Sequence, residues 1–114
     1  MNSITTNLKR ASIEIILLSL LSEREMYGYE MSQQIKIRTN NEFSILEGSM
    51  YPILYRLGDA GYVTSEKRAV GERLTRVYYN ITDLGRTQLK LMHEHYNHIN
   101  SLINNIITKE YDNE

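Results

Sequence analysis

The sequence predicts a mostly helical α+β domain made of three short helices, a two-stranded hairpin and a long last helix. Three observations support this order of elements. Residues 8–60 contain three apolar segments that are separated by turn-forming residues. Residues 62–81 are rich in β-branched and aromatic side chains around a short charged segment. Residues 89–106 carry an apolar side chain at every third or fourth position.

The first two helices are predicted from apolar segments of different strength. Residues 8–21 are dense in aliphatic side chains and contain no Gly or Pro, which predicts a largely buried first helix. The second helix is predicted over residues 28–38 and is ended by the turn-forming residues 39–41. Its inward-facing residues are expected to be Tyr29, Met31 and Ile35, with Ile37 as a further candidate.

The third helix is predicted within residues 47–61, and Pro52 bears on where it starts. A proline ring clashes with the carbonyl group four residues earlier, so proline is favoured in the first turn of a helix. We therefore expect Ser49 to be the N-cap, with a start near Glu47 as the alternative. Gly61 is the expected stop. The apolar stripe of this helix consists of Met50, Ile53, Leu54 and Leu57.

A β-hairpin is predicted from residues 62–68 and 74–81, which flank a charged tip at residues 69–73. Successive side chains of a strand point to opposite faces. One face of the second strand therefore carries Arg76, Tyr78 and Asn80. The other face is expected to point inward and carries Val77, Tyr79 and Ile81.

The last helix is expected to begin at the N-cap Thr82, with Asp83 complementing the helix dipole in its first turn. Its apolar residues are spaced by 3, 4, 3, 4 and 3 positions, which is the a/d pattern of a coiled-coil seam. The pattern favours a homodimer joined by a dimerisation helix over residues 82–108, and packing onto its own domain is the alternative. Residues 109–114 are expected to form a disordered tail. The predicted seam consists of Leu89, Met92, Tyr96, Ile99, Ile103 and Ile106.

Composition excludes several classes of protein. The chain has 114 residues, which suits one domain, and no cysteine, which excludes a disulfide framework and a thiolate metal site. The N-terminus does not resemble a signal peptide, and the longest apolar stretch, residues 15–21, is too short to span a bilayer. We therefore expect a cytoplasmic protein without membrane contact.

No phosphate loop, nucleophile elbow or metalloprotease motif is present, so we expect no enzymatic activity.

Three histidines on the last helix do not predict a metal site. His93 and His95 are two positions apart and point about 200° from each other on a helix. His98 could share a metal with His95 or with Glu94, but two ligands make a weak site. No metal or other cofactor is expected.

Basic residues are concentrated in the hairpin, although the formal net charge of the whole chain is -1. Residues 67–76 hold four basic residues and one acidic residue.

Three helices followed by a basic hairpin is the order of a winged helix-turn-helix domain, which we assign to residues 1–81. In such a domain the third helix enters the DNA major groove, about 12 Å wide, and the hairpin contacts the backbone or the minor groove. The predicted DNA-binding residues are Ser49, Met50, Tyr51, Tyr55 and Arg56 on the third helix, and Lys67, Arg68, Arg73 and Arg76 around the hairpin.

The alternative function is a winged-helix module for protein–protein contact without DNA binding. Such a module keeps the fold but loses the basic residues of the third helix and the wing. The four cations around the hairpin argue against this alternative. Salt-dependent binding to duplex DNA would distinguish the two functions.

Four motifs in a fixed order resemble the PadR family of transcriptional regulators. They are YGYE at residues 27–30, MYPIL at 50–54, R-L-x-x-x-G at 56–61 and Y-Y-x-x-T-x-x-G at 78–85. The match covers roughly residues 9–89 and is similar to the short members with a single C-terminal helix. The resemblance implies a homodimer joined by the first and last helices, and repression by binding a pseudo-palindromic operator. It also implies that residues 49–51 read bases and that residues 68–76 form the wing, which has less glycine here than many wings of the family.

For many members the resemblance also implies release from DNA by a small aromatic or drug-like effector. If the last helix pairs with its symmetry mate and with the first helix, an apolar cavity would form at the two-fold axis. The alternative is a tightly packed dimer core that holds no ligand. The candidate lining residues are Leu8, Ile15, His93, Tyr96 and Asn100.

Overall fold

The computed structural model describes residues 12–112, with side chains described as far as residue 108. This part of the chain has overall dimensions of 66 × 31 × 21 Å. The predicted mostly helical α+β class is confirmed, with one additional short strand. The elements are α1 (Ile13–Glu23), β1 (Met26–Tyr27), α2 (Gly28–Arg38), α3 (Glu47–Asp59), β2 (Val63–Ala69), β3 (Thr75–Ile81) and α4 (Asp83–Asp112).

Helix α1 lies at the centre of the core because its aliphatic side chains contact both the sheet and α4. It packs against β3 on one side and against α4 on another. The prediction of a largely buried first helix is confirmed for residues 13–21, whereas residues 8–11 lie outside the described residues. The largest fully buried side chains are Leu17, Leu18 and Leu21 of α1, Met26 of β1, Met31 of α2, and Met50 and Leu54 of α3.

Helix α2 has the predicted bounds, but its buried face is narrower than expected. Met31 and Ile35 are buried, as predicted. The prediction is wrong for Tyr29 and Ile37, whose exposed fractions are 52% and 64%. The reason is that α2 packs mainly against α3 and β1, so that a single edge of the helix meets the core. The turn predicted after α2 is confirmed by positive φ angles at Asn40 and Asn41.

Helix α3 starts at Glu47 with Leu46 as its N-cap, so the prediction of Ser49 as the N-cap is wrong. Pro52 lies within the helix, where its missing N–H cannot bond to the carbonyl of Gly48. Gly48 has open space where a side chain would be, so no neighbouring side chain adds crowding there. The predicted stop is confirmed at Gly61, whose φ is +83°.

The sheet has three strands in the order β1-β3-β2, not the two that were predicted. Strand β1 has two residues, too few for an alternating pattern to appear in the sequence. It pairs antiparallel with β3, and Tyr27 lies opposite Tyr78. Strands β2 and β3 form the predicted hairpin, in which Glu66 also lies opposite Tyr78 and Arg68 lies opposite Arg76. The inward face predicted for β3 is confirmed for Tyr79 and Ile81, which pack against the core. Val77, the third residue of that face, is half-buried and is not part of the core.

The start of α4 is tied tightly to the start of the hairpin. The Thr82 Oγ1 accepts a hydrogen bond from the Gly85 N–H at 3.0 Å, which confirms the predicted N-cap. The same hydroxyl donates to the carbonyl oxygen of Gly61 at 2.7 Å. Gly85 lies so close to the Tyr62 carbonyl oxygen that a Cβ could not be accommodated. Glycine at this position therefore allows two backbone segments to touch.

Helix α4 is longer than predicted and leaves the domain. It runs from Asp83 to Asp112, a length of about 45 Å at 1.5 Å per residue. The helix is assigned four residues beyond the predicted end at residue 108, and no Gly or Pro follows Gly85 to end it. The disordered tail expected for residues 109–114 stays a prediction. Residues 113 and 114 lie outside the described residues.

Candidate nucleic-acid interface

Helix α3 presents a mixture of polar and aromatic side chains on its exposed side. Ser49 and Tyr55 are exposed, and Tyr51 is partly exposed. Met50 is different, because its side chain is 0% exposed and belongs to the core. The prediction that the Met50 side chain contacts DNA is therefore wrong. The 3-and-4 apolar spacing that includes Met50 indicates this buried position, whereas the place of Met50 near the start of α3 suggested contact with DNA.

Tyr51 is held by groups at the start of both α3 and α2. Its hydroxyl donates to the Glu47 Oε2 at 2.9 Å. Its ring lies against the first residue of α2, where a Cβ built on Gly28 would be 2.8 Å from the Tyr51 hydroxyl oxygen. Burial, reinforced by the neighbouring Glu47 carboxylate, raises the pKa of Tyr51 to about 12. The hydroxyl therefore stays protonated at neutral pH and remains a donor.

Arg56 lies further along α3 and has an acidic partner. Its Nη2 is 3.5 Å from the Glu14 Oε1 of α1, and both side chains are well exposed. Exposed pairs of this kind contribute about 0–1 kcal/mol because water and salt screen them. Arg56 is therefore easily released for contact with another anion.

Arg68 is the most firmly held cation of the hairpin. Its guanidinium forms a bidentate pair with Glu25, at 2.7 and 2.8 Å, and also reaches Glu66 at 3.0 Å. It lies over the Tyr78 ring, with the guanidinium carbon 4.4 Å from the ring centroid. The hydrogen bonds from Arg68 hold the pKa of Glu25 below its usual range. Arg68 thus ties the hairpin to the loop between α1 and β1.

Arg76 lies on the same face of the sheet, but it contacts an aromatic ring instead of a carboxylate. Its guanidinium carbon is 4.4 Å from the centroid of the Tyr27 ring. Tyr27 and Tyr78 meet edge to face, with centroids 5.4 Å apart. Because Arg68 and Arg76 lie directly opposite in register, their charges would repel. Each guanidinium lies over a different ring, and Arg76 has no carboxylate partner among residues 12–108.

Lys67 and Arg73 are the cations that the hairpin leaves most available. Both are exposed, and neither forms an ion pair within the described part of the chain. Lys67 lies opposite Val77, on the face against which α3 packs, whereas Arg68 and Arg76 point to the other face. Arg73 lies in the tip, which is closed by a hydrogen bond from the Val70 N–H to the Leu74 carbonyl oxygen and turned by Gly71 at φ +87°.

Helix α4 divides the predicted seam into two parts. Leu89 and Met92 are partly buried and pack against the core of this chain. The remaining seam residues are exposed, up to 70% at Ile106. The exposed apolar face is also wider than the seam, and this width was missed because only the strict a/d positions were considered. We call it the α4 apolar face: Leu91, Tyr96, Ile99, Leu102, Ile103, Ile106 and Ile107.

A groove of about 340 Å³ lies between α1 and the middle of α4. It brings together three of the predicted effector-binding residues, Ile15, His93 and Tyr96. Asn100 does not line this groove, and Leu8 lies outside the described residues. Phe43, from the loop after α2, completes the lining and was missed, because a loop side chain has no periodic pattern that would indicate its direction.

Two further properties concern the described residues as a set. No group of three or more His, Asp or Glu side chains is placed where it could hold a metal ion within that set. No helix among those residues is long and apolar enough to cross a membrane.

The comparison with protein families decides which family this fold belongs to. The model of the transcriptional regulator PadR-like family matches residues 17–91, about two thirds of the chain. The chain belongs to the PadR family. The matched segment begins in the middle of α1, runs through the hairpin and ends in the part of α4 that packs on the core.

Other PadR proteins and related structures resemble the chain over most of its length. A transcriptional regulator from Clostridium thermocellum is 35% identical, with a TM-score of 0.78 over 91% of this chain and 95% of the other. An uncharacterized protein from Lysinibacillus sphaericus is 32% identical over 88% of this chain and 92% of its own. Bacillus subtilis PadR, solved in complex with operator DNA, is 28% identical, with a TM-score of 0.63 over 68% of this chain and 44% of that chain.

Proposed function

We propose that this PadR protein is a homodimeric repressor that binds duplex DNA through α3 and the hairpin. The observation that carries the proposal is a pair of exposed hairpin cations, Lys67 and Arg73, that form no ion pair among residues 12–108. A cation on a projecting hairpin is suited to a DNA phosphate, and each such contact releases counterions on binding. The alternative of a protein-binding module does not account for these unpaired charges.

Relatives of this chain support the same function. Bacillus subtilis PadR is described as a negative transcriptional regulator and has been solved in complex with operator DNA. The region shared with that protein covers 68% of this chain.

The cations of the hairpin have different roles in this proposal. Lys67, Arg73 and Arg76 are assigned to phosphate contacts, because none of them has a carboxylate partner among residues 12–108. Arg68 is assigned to holding the hairpin in place, because its guanidinium already forms three hydrogen bonds to two carboxylates. Ser49 and Tyr55, which are exposed on α3, are assigned to contacts in the DNA major groove, and the buried Met50 supports the helix from the core.

The homodimer is proposed from the α4 apolar face. A helix face that exposes this many aliphatic side chains is unfavourable in water, and burial against another molecule removes the cost. The 3-and-4 spacing suits a second copy of the same helix, packed as in a coiled coil. A two-fold axis would relate the two α3 helices of a dimer, as the half-sites of a pseudo-palindromic operator are related.

A small aromatic effector is proposed for the groove between α1 and α4. Its volume of about 340 Å³ lies within the range of ligand pockets, and Phe43 and Tyr96 provide aromatic surfaces. Because the groove borders the α4 apolar face, a ligand bound there would change the angle between protomers and so the spacing of the two α3 helices. The competing arrangement is a closed dimer core, in which no aromatic compound releases the protein from DNA.

The DNA-binding proposal is tested by fluorescence-anisotropy titration. The purified protein is first used to select duplexes from a random library, and the enriched duplex is compared with an unrelated one at several salt concentrations. We expect selective binding, and the logarithm of its association constant should fall linearly with the logarithm of the salt concentration. Equal and weak binding to both duplexes would favour the protein-binding alternative. Addition of an aromatic compound library to the bound complex then tests the effector.

A further inference from the structure

Glu47 is an acidic residue at the position of α3 that is expected to come closest to the bases. It is the first residue of the helix, is partly buried, and borders a groove shared with the start of α2 and the edge of β3. An acidic residue suits the positive end of the helix dipole. The same charge repels the phosphates of DNA, so its presence on this surface calls for a compensating contact.

The Glu47 carboxylate is oriented by two other elements. Tyr51, one turn later, donates its hydroxyl hydrogen to the Oε2 at 2.9 Å. Tyr51 is itself held against the backbone of Gly28, where no side chain would fit without moving the ring. The orientation of Glu47 thus depends on contacts from both helices of the helix-turn-helix. A side chain that only served the helix dipole would need no such support.

A carboxylate accepts hydrogen bonds and does not donate them, which restricts what it can read in DNA. It has about four lone-pair sites, so the bond from Tyr51 leaves room for another donor. In the major groove the base donors are the amino groups of cytosine and adenine. The adenine amino group lies beside the N7 acceptor of the same base, which would repel a carboxylate, and the cytosine ring has no such neighbour.

We propose that Glu47, positioned by Tyr51, determines specificity by accepting a hydrogen bond from the amino group of a cytosine in each half-site. The inference rests on the proposed DNA-binding function and deepens it. Glu47 is the residue that touches the base. Tyr51 is a positioning residue, although its ring also lies on the exposed side of α3.

The test compares Glu47→Gln with the wild-type protein on a set of duplexes. The wild-type protein first selects its preferred sequence from a random duplex library. Each base pair of that sequence is then replaced in turn by the three others, and both proteins are titrated by anisotropy. At one symmetry-related position, we expect replacement of cytosine to weaken wild-type binding by about 5- to 150-fold. Glu47→Gln should lose this preference or shift it to adenine, whose N6 and N7 match a carboxamide.

Two variants separate base recognition from simple removal of charge. Glu42→Gln removes the same charge from an exposed residue that precedes α3, and it should leave the cytosine preference unchanged. Tyr51→Phe keeps the ring against Gly28 but deletes the hydroxyl, and it should weaken the preference several-fold with little change in binding to duplexes that lack the cytosine.

Each other outcome overturns the proposal in a distinguishable way. If Glu47→Gln strengthens binding by the same factor on every duplex, the carboxylate only repels phosphates and reads no base. If the wild-type protein prefers no cytosine in either half-site, the inference fails while the DNA-binding function stands. If the wild-type protein enriches no sequence at all, the DNA-binding function fails and the inference fails with it.

Discussion

The two halves of α4 share one apolar pattern but have opposite surroundings. Leu89 and Met92 of the first half pack against the core, whereas Ile99 and Ile106 of the second half are exposed. The difference arises because the body of the domain ends near residue 92, and the helix continues beyond it. Apolar periodicity therefore indicates that a face will be buried, but it does not indicate which partner buries it.

The largest effect is expected where α4 is anchored to the body. Gly85→Ala would force a methyl group against the Tyr62 carbonyl oxygen. Overpacking against the backbone should cost about 3 kcal/mol or more of unfolding free energy, measured by urea denaturation. Gly48→Ala is the matched control, since that helical glycine has open space and the change should stabilise by about 0.5–1 kcal/mol. Equal effects of the two substitutions would show that the close approach at Gly85 is not rigid.

The next largest effect is expected in the exposed half of α4. Ile99→Glu would place an unpaired charge in the proposed dimer interface, at a cost of about 3 kcal/mol or more. The dimer should then dissociate at concentrations about 100-fold higher than for the wild-type protein, measured by sedimentation. Asn97→Glu adds the same charge on the opposite side of the helix and should leave the dimer intact. An unchanged dimer in Ile99→Glu would assign the apolar face to another partner.

A smaller effect distinguishes Arg68, which is bonded to carboxylates, from Arg73 and Arg76, which have no carboxylate partner among residues 12–108. Replacing Arg73 and Arg76 by Ala should reduce the salt-dependence slope of DNA binding by about one to two units. Arg68→Ala should leave the slope nearly unchanged and instead lower the melting temperature, because it removes the bidentate pair with Glu25. Anisotropy titrations at four salt concentrations measure the slopes. A reduced slope in Arg68→Ala would show that this guanidinium leaves Glu25 when DNA binds.

The smallest effect is the pH dependence of the Glu25–Arg68 pair. Because Arg68 lowers the pKa of Glu25, the pair stabilises the fold above the unfolded pKa near 4.5, and this stabilisation is lost as the pH falls through the lower folded value. Melting temperatures of the wild-type protein and Glu25→Gln should differ at pH 7, and the difference should shrink as the pH falls below 4.5. A difference that does not shrink in this direction would show that the ion pair is not its source.

The positions of the cations show how far sequence reasoning reaches at the candidate site. The concentration of basic residues in the hairpin is visible in the sequence, and so is the alternation that puts Arg76 and Tyr78 on one face. The residues that these side chains contact cannot be identified from the sequence. Glu25 is 43 residues from Arg68, and Tyr27 belongs to a strand of two residues. Both contacts arise only when β1 adds to the edge of the hairpin.

The sequence by itself determined the class of fold, the order of the helices and hairpin, and the family, because these depend on local periodicity and on motifs read along the chain. Only the tertiary structure decided which side chains remain available. Met50 and Tyr51 are neighbours in the sequence, yet one is in the core and the other is held at the surface by Glu47. The reason is physical: burial and hydrogen bonding depend on what lies opposite in space, and residues distant in the chain supply it.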